Sequence, residues 1–331
     1  MVRDSAWRRH RLLILCYHGI SREDEHLWRP GLYLEPSRLE ERLTFLRQGQ
    51  YNVLPLGRAV ELLWKKELPP RSVAITFDDG AYDFFSLAYP LLKSFGFPVT
   101  VYQTTYYSDR QVPVFNLICS YLLWKRRGGL LDIGTELGLK PPLDLRSEAR
   151  RYAIVQTLMD NCVRDKLDVR QKNEVAGTLA KLLDIDYALL LSKRILQLMN
   201  TQEIAQLARE GVDFQLHTHR HRVPKDKLLF EKEIRDNRES LKKALVQKTA
   251  HFCYPSGEHS PEFFPWLTEE RIISATTCDV GLASPNTSPL LLPRMVETTS
   301  RSILEFEGWL TGVAEFLAVN RSSGTYIPHG D

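Results

Sequence analysis

Apolar residues form two nearly unbroken runs in the first quarter of the chain. Residues 12–17 are apolar throughout, and residues 73–77 are apolar except for Thr76. Runs of this length, rich in aliphatic and aromatic side chains, are typical of strands buried on both faces of a sheet. Two stretches of similar composition, 51–56 and 98–104, predict further strands. The pattern therefore indicates a buried, largely parallel sheet.

Helical patterns fill the intervals between these strands. An apolar stripe follows Pro36, a second amphipathic stretch covers 58–65, and a third covers 82–95 and stops at Gly96. Proline in the first turn and glycine just past the last turn are common helix boundaries. The same alternation resumes after residue 200, with predicted strands at 212–216, 250–254 and 272–276 and predicted helices at 201–210, 227–246, 262–270 and 303–318. About seven strand–helix units predict an α/β fold, a distorted (β/α)7-type barrel.

The stretch 107–200 interrupts this rhythm. Its pattern is mainly helical, with candidate helices at 149–160 and 172–183, and it shows no pair of candidate metal ligands. We therefore expect one domain over residues 1–331, with 107–200 as a helical insertion that serves as a lid or a substrate-side subdomain.

The charge balance excludes some partners. The net charge of the 331 residues is only +3, which is too small to indicate a nucleic-acid partner. The basic residues near the N-terminus predict a solvated arm, and the alternative is a peripheral contact with a membrane. These residues are Arg3, Arg8, Arg9 and Arg11.

Cysteine usage and the apolar runs bear on the cellular compartment. The five cysteines are odd in number and scattered, without a Cys-x-x-Cys pair. Such a pattern is typical of reduced thiols rather than of a disulfide framework. The run 12–17 is too short for a transmembrane helix or a signal peptide. We expect a cytoplasmic protein, with a membrane-peripheral position as the alternative.

Two adjacent carboxylates follow the apolar run 73–77. Asp78 and Asp79 stand at the predicted end of a buried strand and are followed by Gly80. Neighbouring carboxylates repel each other unless a cation neutralises one of them, and the other is then free for proton transfer. The alternative is an ordinary turn in which the first Asp caps the next helix.

Three histidines occur within five residues after another predicted strand. They are His217, His219 and His221. Imidazole is a common ligand for zinc and similar metals, and residues spaced i and i+4 share one face of a helical turn. We therefore expect His217 and His221 to reach one ion while His219 points elsewhere. The alternative is a surface histidine cluster.

Together, Asp79, His217 and His221 would supply two imidazoles and one carboxylate. Such a set leaves coordination positions open for water and substrate. Zinc suits these ligands, and cobalt, nickel and iron are alternatives. Asp78, beside the metal ligand but free, is then placed to take a proton from the attacking water. The pattern predicts metal-assisted hydrolysis of a carbonyl compound.

The sequence here resembles the polysaccharide deacetylases of carbohydrate esterase family four. The resemblance rests on Thr76-Phe77-Asp78-Asp79-Gly80, on His217-Thr218-His219-Arg220-His221 and on Phe252-Cys253-Tyr254-Pro255-Ser256-Gly257. A later segment from Ala275 to Arg294 agrees with one subgroup. The similarity covers roughly residues 11–106 and 200–300. It implies that Asp78 is the base and that Asp79, His217 and His221 bind the metal.

Other roles that the resemblance implies are less direct. A backbone N–H of the loop at Tyr254 would stabilise the oxyanion, although Ser256 replaces an aromatic residue there. Arg294 would orient Asp78, or it is a surface arginine at a strand end. The acid would be His18 if the chain resembles the permuted branch that deacetylates poly-N-acetylglucosamine, in which an N-terminal strand carries Tyr-His. The usual family order would instead place the acid on His329.

The resemblance implies hydrolysis of an N-acetyl group on an amino-sugar glycan or glycan precursor, a reaction at a linear amide C–N bond. The expected partner is a carbohydrate substrate, with a peripheral contact to a membrane or to polysaccharide-synthesis machinery as an addition. One alternative is removal of a formyl or other acyl group from a lipid-linked sugar or a non-sugar amide. Another is a glycan-binding protein without catalysis.

Overall fold

The computed structural model describes residues 2–317 and divides them into two compact units. The first unit contains the chain up to Tyr106 and again from Thr201, and the second is Tyr107–Asn200. That residues 107–200 act as a lid or substrate-side insertion of one catalytic domain stays a prediction.

A parallel sheet forms the centre of the first unit. Its strands follow the order β11-β10-β9-β6-β5-β1-β12, with β4 paired to β5, and every one of these pairings is parallel. The predicted α/β fold and distorted barrel are therefore confirmed. The strands of the chain are β1 (Leu13–Tyr17), β2 (Gly19–Ile20), β3 (Tyr33–Leu34), β4 (Asn52–Val53), β5 (Ser72–Phe77), β6 (Thr100–Gln103), β7 (Leu130–Leu131), β8 (Leu143–Asp144), β9 (Asp213–Leu216), β10 (His251–Cys253), β11 (Ser274–Thr276) and β12 (Met295–Val296).

One short segment links the two ends of this sheet. Leu292 bridges to Thr276 of β11, and Met295 of β12 pairs with Leu15 of β1. The segment that leads into β12 thus lies beside both β11 and β1, which shows that the sheet curls round. The carboxyl ends of β1, β5 and β9 consequently meet at one edge of the barrel.

Helices connect the strands and pack on the outside of the sheet. The apolar face of α4, for example, contributes Leu56, Val60 and Leu63 to a core cluster with Leu12 and Ile14. The helices are α1 (Ala6–Arg9), α2 (Glu25–Trp28), α3 (Pro36–Gln48), α4 (Leu56–Lys65), α5 (Tyr89–Phe95), α6 (Phe115–Lys125), α7 (Glu148–Arg164), α8 (Val169–Leu182), α9 (Tyr187–Ser192), α10 (Thr201–Arg209), α11 (Lys227–Lys242), α12 (Phe263–Glu269), α13 (Ile303–Thr311) and α14 (Val313–Leu317). Short 3-10 turns at Val2–Asp4, Thr135–Leu137 and Pro255–Gly257 and a π-helical turn at Phe84–Ala88 complete the elements. Within residues 2–317, no helix combines the length and apolarity that crossing a membrane requires.

The N-terminal basic cluster is not the solvated arm that we predicted. Arg8 is fully buried, and its guanidinium donates to the backbone oxygens of Leu310, Arg11 and Ser72. The carbonyl groups provide the acceptors that a buried guanidinium requires, so the cluster includes an internal anchor. Arg9 remains exposed, as predicted.

The last predicted helix is also divided. Gly312, with φ 84°, ends α13, and α14 begins at Val313. A left-handed glycine is a common helix terminator because it carries no Cβ. Residue 318, the predicted end of this helix, lies outside the described residues.

The second unit is mainly helical, as its pattern indicated. Helices α6, α7, α8 and α9 pack with one short antiparallel pair, β7 and β8. Its interior contains Cys119 and Cys162, which are both buried as free thiols.

Candidate active site

A sharp turn after β5 separates the two adjacent carboxylates. Asp79 and Gly80 adopt left-handed backbone conformations with φ 68° and 75°, and the Gly80 N–H donates to Asp78 O at 2.8 Å. A Cβ at Gly80 would collide with the side chain of Gln103. Glycine is therefore required here by conformation and by space. The turn gives Asp78 and Asp79 different neighbours.

Asp79 lies against two imidazoles. Its Oδ1 is 3.3 Å from His217 Nε2 and 3.2 Å from His221 Nε2. This oxygen is buried and has no hydrogen-bond partner among the described residues, although the whole side chain is 34% exposed. Burial alone would raise the pKa of Asp79, but the neighbouring His221 and His217 lower it well below its usual range.

Two imidazole nitrogens that converge with an unpartnered buried carboxylate oxygen fit a divalent metal ion. The partial exposure of Asp79 leaves room for further ligands. Asp79, His217 and His221 are thus the residues that could hold such an ion.

Backbone and side-chain contacts fix the orientation of His217. Its Nδ1 is 2.8 Å from Cys253 O, and its backbone N–H donates to Asn237 Oδ1 at 3.0 Å. Because a carbonyl oxygen only accepts, Nδ1 carries a proton, and in the neutral ring the lone pair is therefore on Nε2. The lone pair therefore points toward Asp79, as a metal ligand requires.

The histidine segment is not the helical turn that we predicted. It is a loop after β9 in which Thr218 and His221 have φ 60° and 56°. The loop curls back on itself, so the rings of His217 and His221 meet edge to face, 4.9 Å apart. His219 points elsewhere, as expected: its Nδ1 lies 2.8 Å from Thr105 Oγ1.

Asp78 forms a buried ion pair with Arg294. Two parallel hydrogen bonds of 2.7 Å join the guanidinium to Oδ1 and Oδ2, and both side chains are almost completely buried. Burial alone would raise the pKa of Asp78, but the charge and hydrogen bonds of Arg294 outweigh it and lower the pKa far below neutral. Arg294 is thus not the surface residue of our alternative reading.

His18 follows β1 and lies close to Asp78. Its Nε2 is 3.8 Å from Asp78 Oδ2, and its Nδ1 is buried without a hydrogen-bond partner among the described residues. Burial lowers the pKa of His18, and Asp78 only partly opposes this effect. The alternative acid, His329, lies outside the described residues.

Tyr254 directly follows β10, next to Cys253. Its N–H donates to Thr276 O at 3.2 Å, and its hydroxyl donates to Leu290 O at 3.1 Å. The Tyr254 N–H could donate to an oxyanion only if it released Thr276 O or divided its hydrogen bond between the two acceptors. The role of this loop in oxyanion stabilisation stays a prediction.

Sequence reasoning missed two kinds of residue. Asn237 of α11 holds the His217 backbone, and Cys16 and Cys253 contact Asp78 Oδ2. Asn237 was detectable because it occupies a position of the apolar stripe of its helix, where a polar side chain needs a buried partner. No pattern in the sequence indicated that two thiols face one carboxylate.

The sequence profile of the polysaccharide deacetylase family matches residues 65–139 and 171–269, together more than half of the chain. The chain belongs to the polysaccharide deacetylase family. The family predicted from the motifs is therefore confirmed.

One curated relative comes from the branch that the sequence resembles. It is the poly-β-1,6-N-acetyl-D-glucosamine N-deacetylase of Escherichia coli K12, which is 26% identical over 99 residues. The match covers 30% of this chain but only 14% of the relative, so the chain spans a small part of that protein's length.

Solved structures of deacetylases share the fold over almost the whole chain. Streptococcus pyogenes deacetylase PplD in complex with acetate superposes with a TM-score of 0.60 at 19% identity, covering 91% of this chain and 98% of that one. IcaB from Ammonifex degensii gives 0.56 at 16% identity, with coverage of 91% and 97%. At these identities the similarity concerns the fold alone.

Proposed function

We propose that this polysaccharide deacetylase is a metal-dependent hydrolase that removes N-acetyl groups from an amino-sugar glycan or glycan precursor. The observation that carries the proposal is the convergence of Asp79 Oδ1 with the Nε2 atoms of His217 and His221, directly beside the ionised Asp78. Binding alone would not require a buried carboxylate next to a metal site. The alternative of a non-catalytic glycan-binding protein is therefore less well supported.

Asp79, His217 and His221 would hold the ion, and zinc is the metal that we propose. When bound there, a divalent metal supplies Lewis acidity that polarises the amide carbonyl and makes a water more acidic. The Cys253 carbonyl keeps the Nε2 lone pair of His217 directed at this position.

Asp78 is the proposed base. Its pKa lies far below neutral because of Arg294, so the carboxylate is ionised at any physiological pH and free to accept a proton from the attacking water. Its two bonds to Arg294 restrict its rotation.

His18 is the proposed acid, in preference to His329. Burial lowers its pKa, so protonated His18 gives up its proton more readily than a free imidazolium does. Its Nε2 would protonate the departing amine nitrogen, while the loop that begins at Tyr254 would stabilise the oxyanion. The products are acetate and a free amino sugar.

The proposed substrate class follows from the family and from the E. coli relative, whose name specifies a poly-β-1,6-N-acetyl-D-glucosamine. We therefore choose β-1,6-linked N-acetylglucosamine oligomers as the first substrate. A different acyl group, or a lipid-linked sugar, is the alternative within the same chemistry.

The experiment is acetate release by protein stripped of metal and then reloaded with zinc or cobalt. We expect activity only after reloading, and none in His217→Ala. His10→Ala is the matched control because His10 is exposed and does not belong to the site. Stoichiometric metal without acetate release would exclude this substrate, and failure of the wild-type protein to bind metal would overturn the proposal.

A further inference from the structure

Two buried thiols contact the carboxylate of the proposed base. Cys253 Sγ lies 3.3 Å and Cys16 Sγ lies 3.5 Å from Asp78 Oδ2. Both cysteines are fully buried. They come from β10 and β1, which stand on different sides of β5 in the sheet. The two thiols thus approach the same oxygen from two directions.

The guanidinium of Arg294 explains why a thiol is suited to this place. Arg294 has five N–H donors, and each has an acceptor. Nε donates to Thr277 O, one terminal nitrogen donates to Thr76 Oγ1 and Asp78 Oδ1, and the other donates to Asp78 Oδ2 and Cys253 Sγ. Cys253 takes the last guanidinium N–H, at 3.0 Å, because the other sulfur near this nitrogen, Cys278 Sγ, is farther away at 3.9 Å.

Cys253 also has a proton to donate. Cys253 is a free thiol, and a thiol S–H is a hydrogen-bond donor. Two acceptors lie within its reach, Asp78 Oδ2 at 3.3 Å and Tyr254 O at 3.7 Å. The carboxylate is both nearer and charged, which makes it the stronger acceptor. Arg294, Cys253 and Asp78 then form a closed triangle of hydrogen bonds.

We propose that Cys253, assisted by Cys16, is a positioning residue that holds the Asp78 carboxylate in the orientation for proton transfer. The thiols act through Asp78 and do not touch the substrate. The proposal rests on the proposed function because it gives Asp78 the role of base. It goes beyond the motif roles, which include no cysteine.

The kinetic test compares Cys253→Ala with Cys253→Ser in the zinc-loaded protein. We expect Cys253→Ala to lower kcat about tenfold, because one hydrogen bond to a charged group is lost. KM and the amount of bound zinc should not change. Serine should restore most of kcat, because a hydroxyl can both accept from Arg294 and donate to Asp78. Cys16→Ala should have a smaller effect, since Cys16 makes the longer contact.

Cys119→Ala is the matched control. Cys119 is equally buried but lies in α6 of the second unit, so its truncation removes the same atom without touching Asp78. Wild-type kcat in Cys253→Ala would overturn the proposal. A loss of kcat that is equal in Cys119→Ala, or that serine does not restore, would overturn it as well.

An infrared measurement on the metal-free protein separates this inference from the proposed function. The S–H stretching band of Cys253 is identified by its disappearance in Cys253→Ala. We expect this band to move to higher frequency in Asp78→Asn, because a neutral amide is a weaker acceptor than a carboxylate. A band that does not move would show that the Cys253 thiol does not donate to Asp78 and would overturn the inference. Wild-type protein without acetate release would overturn the proposed function only, whereas the band shift would still decide whether Cys253 donates to Asp78.

Discussion

At the scale of single residues, the site gives two neighbouring carboxylates opposite surroundings. Asp78 faces a guanidinium and two thiols, whereas Asp79 faces two imidazoles. A single turn achieves this division. The consequence is that substitutions one position apart should affect different properties of the protein.

Asp78→Asn tests the role of the base. We expect the variant to bind zinc as the wild type does and to lose at least about 100-fold in kcat, because an amide cannot accept the proton. Asp79→Asn is the neighbouring comparison, and we expect it to lose the metal. Metal content and acetate release measure both effects. Near-normal turnover by Asp78→Asn would remove Asp78 from its proposed role.

Gly80→Ala tests the turn itself. We expect the free energy of unfolding to fall by about 1–3 kcal/mol, since Gly80 has φ 75° and its new Cβ would displace Gln103. Gly31→Ala is the control, because a Cβ at Gly31 meets nothing within 4 Å. Denaturant unfolding of the two variants gives the comparison. Equal free energies of unfolding for the two variants would show that the turn accommodates a Cβ at position 80 without loss of stability.

How well the sequence predicted these residues depended on their chemistry. Asp78, Asp79, His217 and His221 carry unusual side chains at strand ends, and the structure brings the predicted groups together. The thiol contacts were not predictable, because cysteine is commonly buried without any role and its neighbours come from distant strands. The proposed oxyanion donor at Tyr254 is a backbone N–H. Every residue except proline has this group, so the sequence does not indicate which N–H would donate.

At the scale of secondary structure, α11 holds the histidine loop in place. Asn237 lies on its buried face, accepts the His217 N–H, and donates to Gln103 O and Thr105 Oγ1. One side chain therefore joins β6, the segment just after it, and the loop after β9 that carries the proposed histidine ligands.

Asn237→Leu removes these three bonds while keeping a similar volume. We expect the zinc affinity to fall about 10- to 100-fold, as is typical when a contact that orients a ligand is lost. Glu239→Ala is the control, because Glu239 is exposed on the same helix. Titration of the apo proteins with zinc measures the difference. An unchanged affinity would mean that β9 and the Cys253 carbonyl orient His217 without help from Asn237.

Alternation of apolar runs predicted the strands, but their ends were less accurate. The strand predicted at 51–56 is only Asn52–Val53, since the helix after it already begins at Leu56. Apolar residues of strand and helix are indistinguishable at such a junction. The π-helical turn at Phe84–Ala88 and the left-handed loop at His217 were not predictable, because tertiary contacts determine them.

At the scale of the whole first unit, Arg8 connects elements that are distant in sequence. Its guanidinium donates to Leu310 O of α13 and to Ser72 O of β5. We expect Arg8→Ala to lower the free energy of unfolding by about 2–4 kcal/mol, because buried carbonyl groups lose their donor. Arg9→Ala, one residue away and exposed, should change it little. Thermal and denaturant unfolding check both values, and similar stabilities of the two variants would contradict the anchor.

Asp83 predicts a pH dependence of the stability. Burial raises its pKa to about 8, and the Ile20 N–H that donates to Oδ1 at 3.0 Å opposes this only in part. Between about pH 4 and 8 the folded protein therefore retains a proton that the unfolded chain releases. The free energy of unfolding should accordingly fall as the pH rises through this range, by up to about 1.4 kcal/mol per pH unit.

Asp83→Asn keeps the acceptor for Ile20 but cannot titrate. Relative to this variant, the wild type should lose stability from pH 5 to pH 8, as measured by denaturant unfolding. Parallel curves for the two proteins would show that Asp83 has an ordinary pKa in the folded state.

The segment that joins β11 to β1 has a consequence for how the chain folds. Strand β1 precedes one of its two neighbours, β12, by most of the described chain. Such distant pairing gives a high contact order and slow folding. Arg294 lies on the segment that carries β12. Until that segment docks, one edge of β1 is unpaired and Asp78 lacks its counter-charge, so the proposed catalytic site is completed only when β12 is in place.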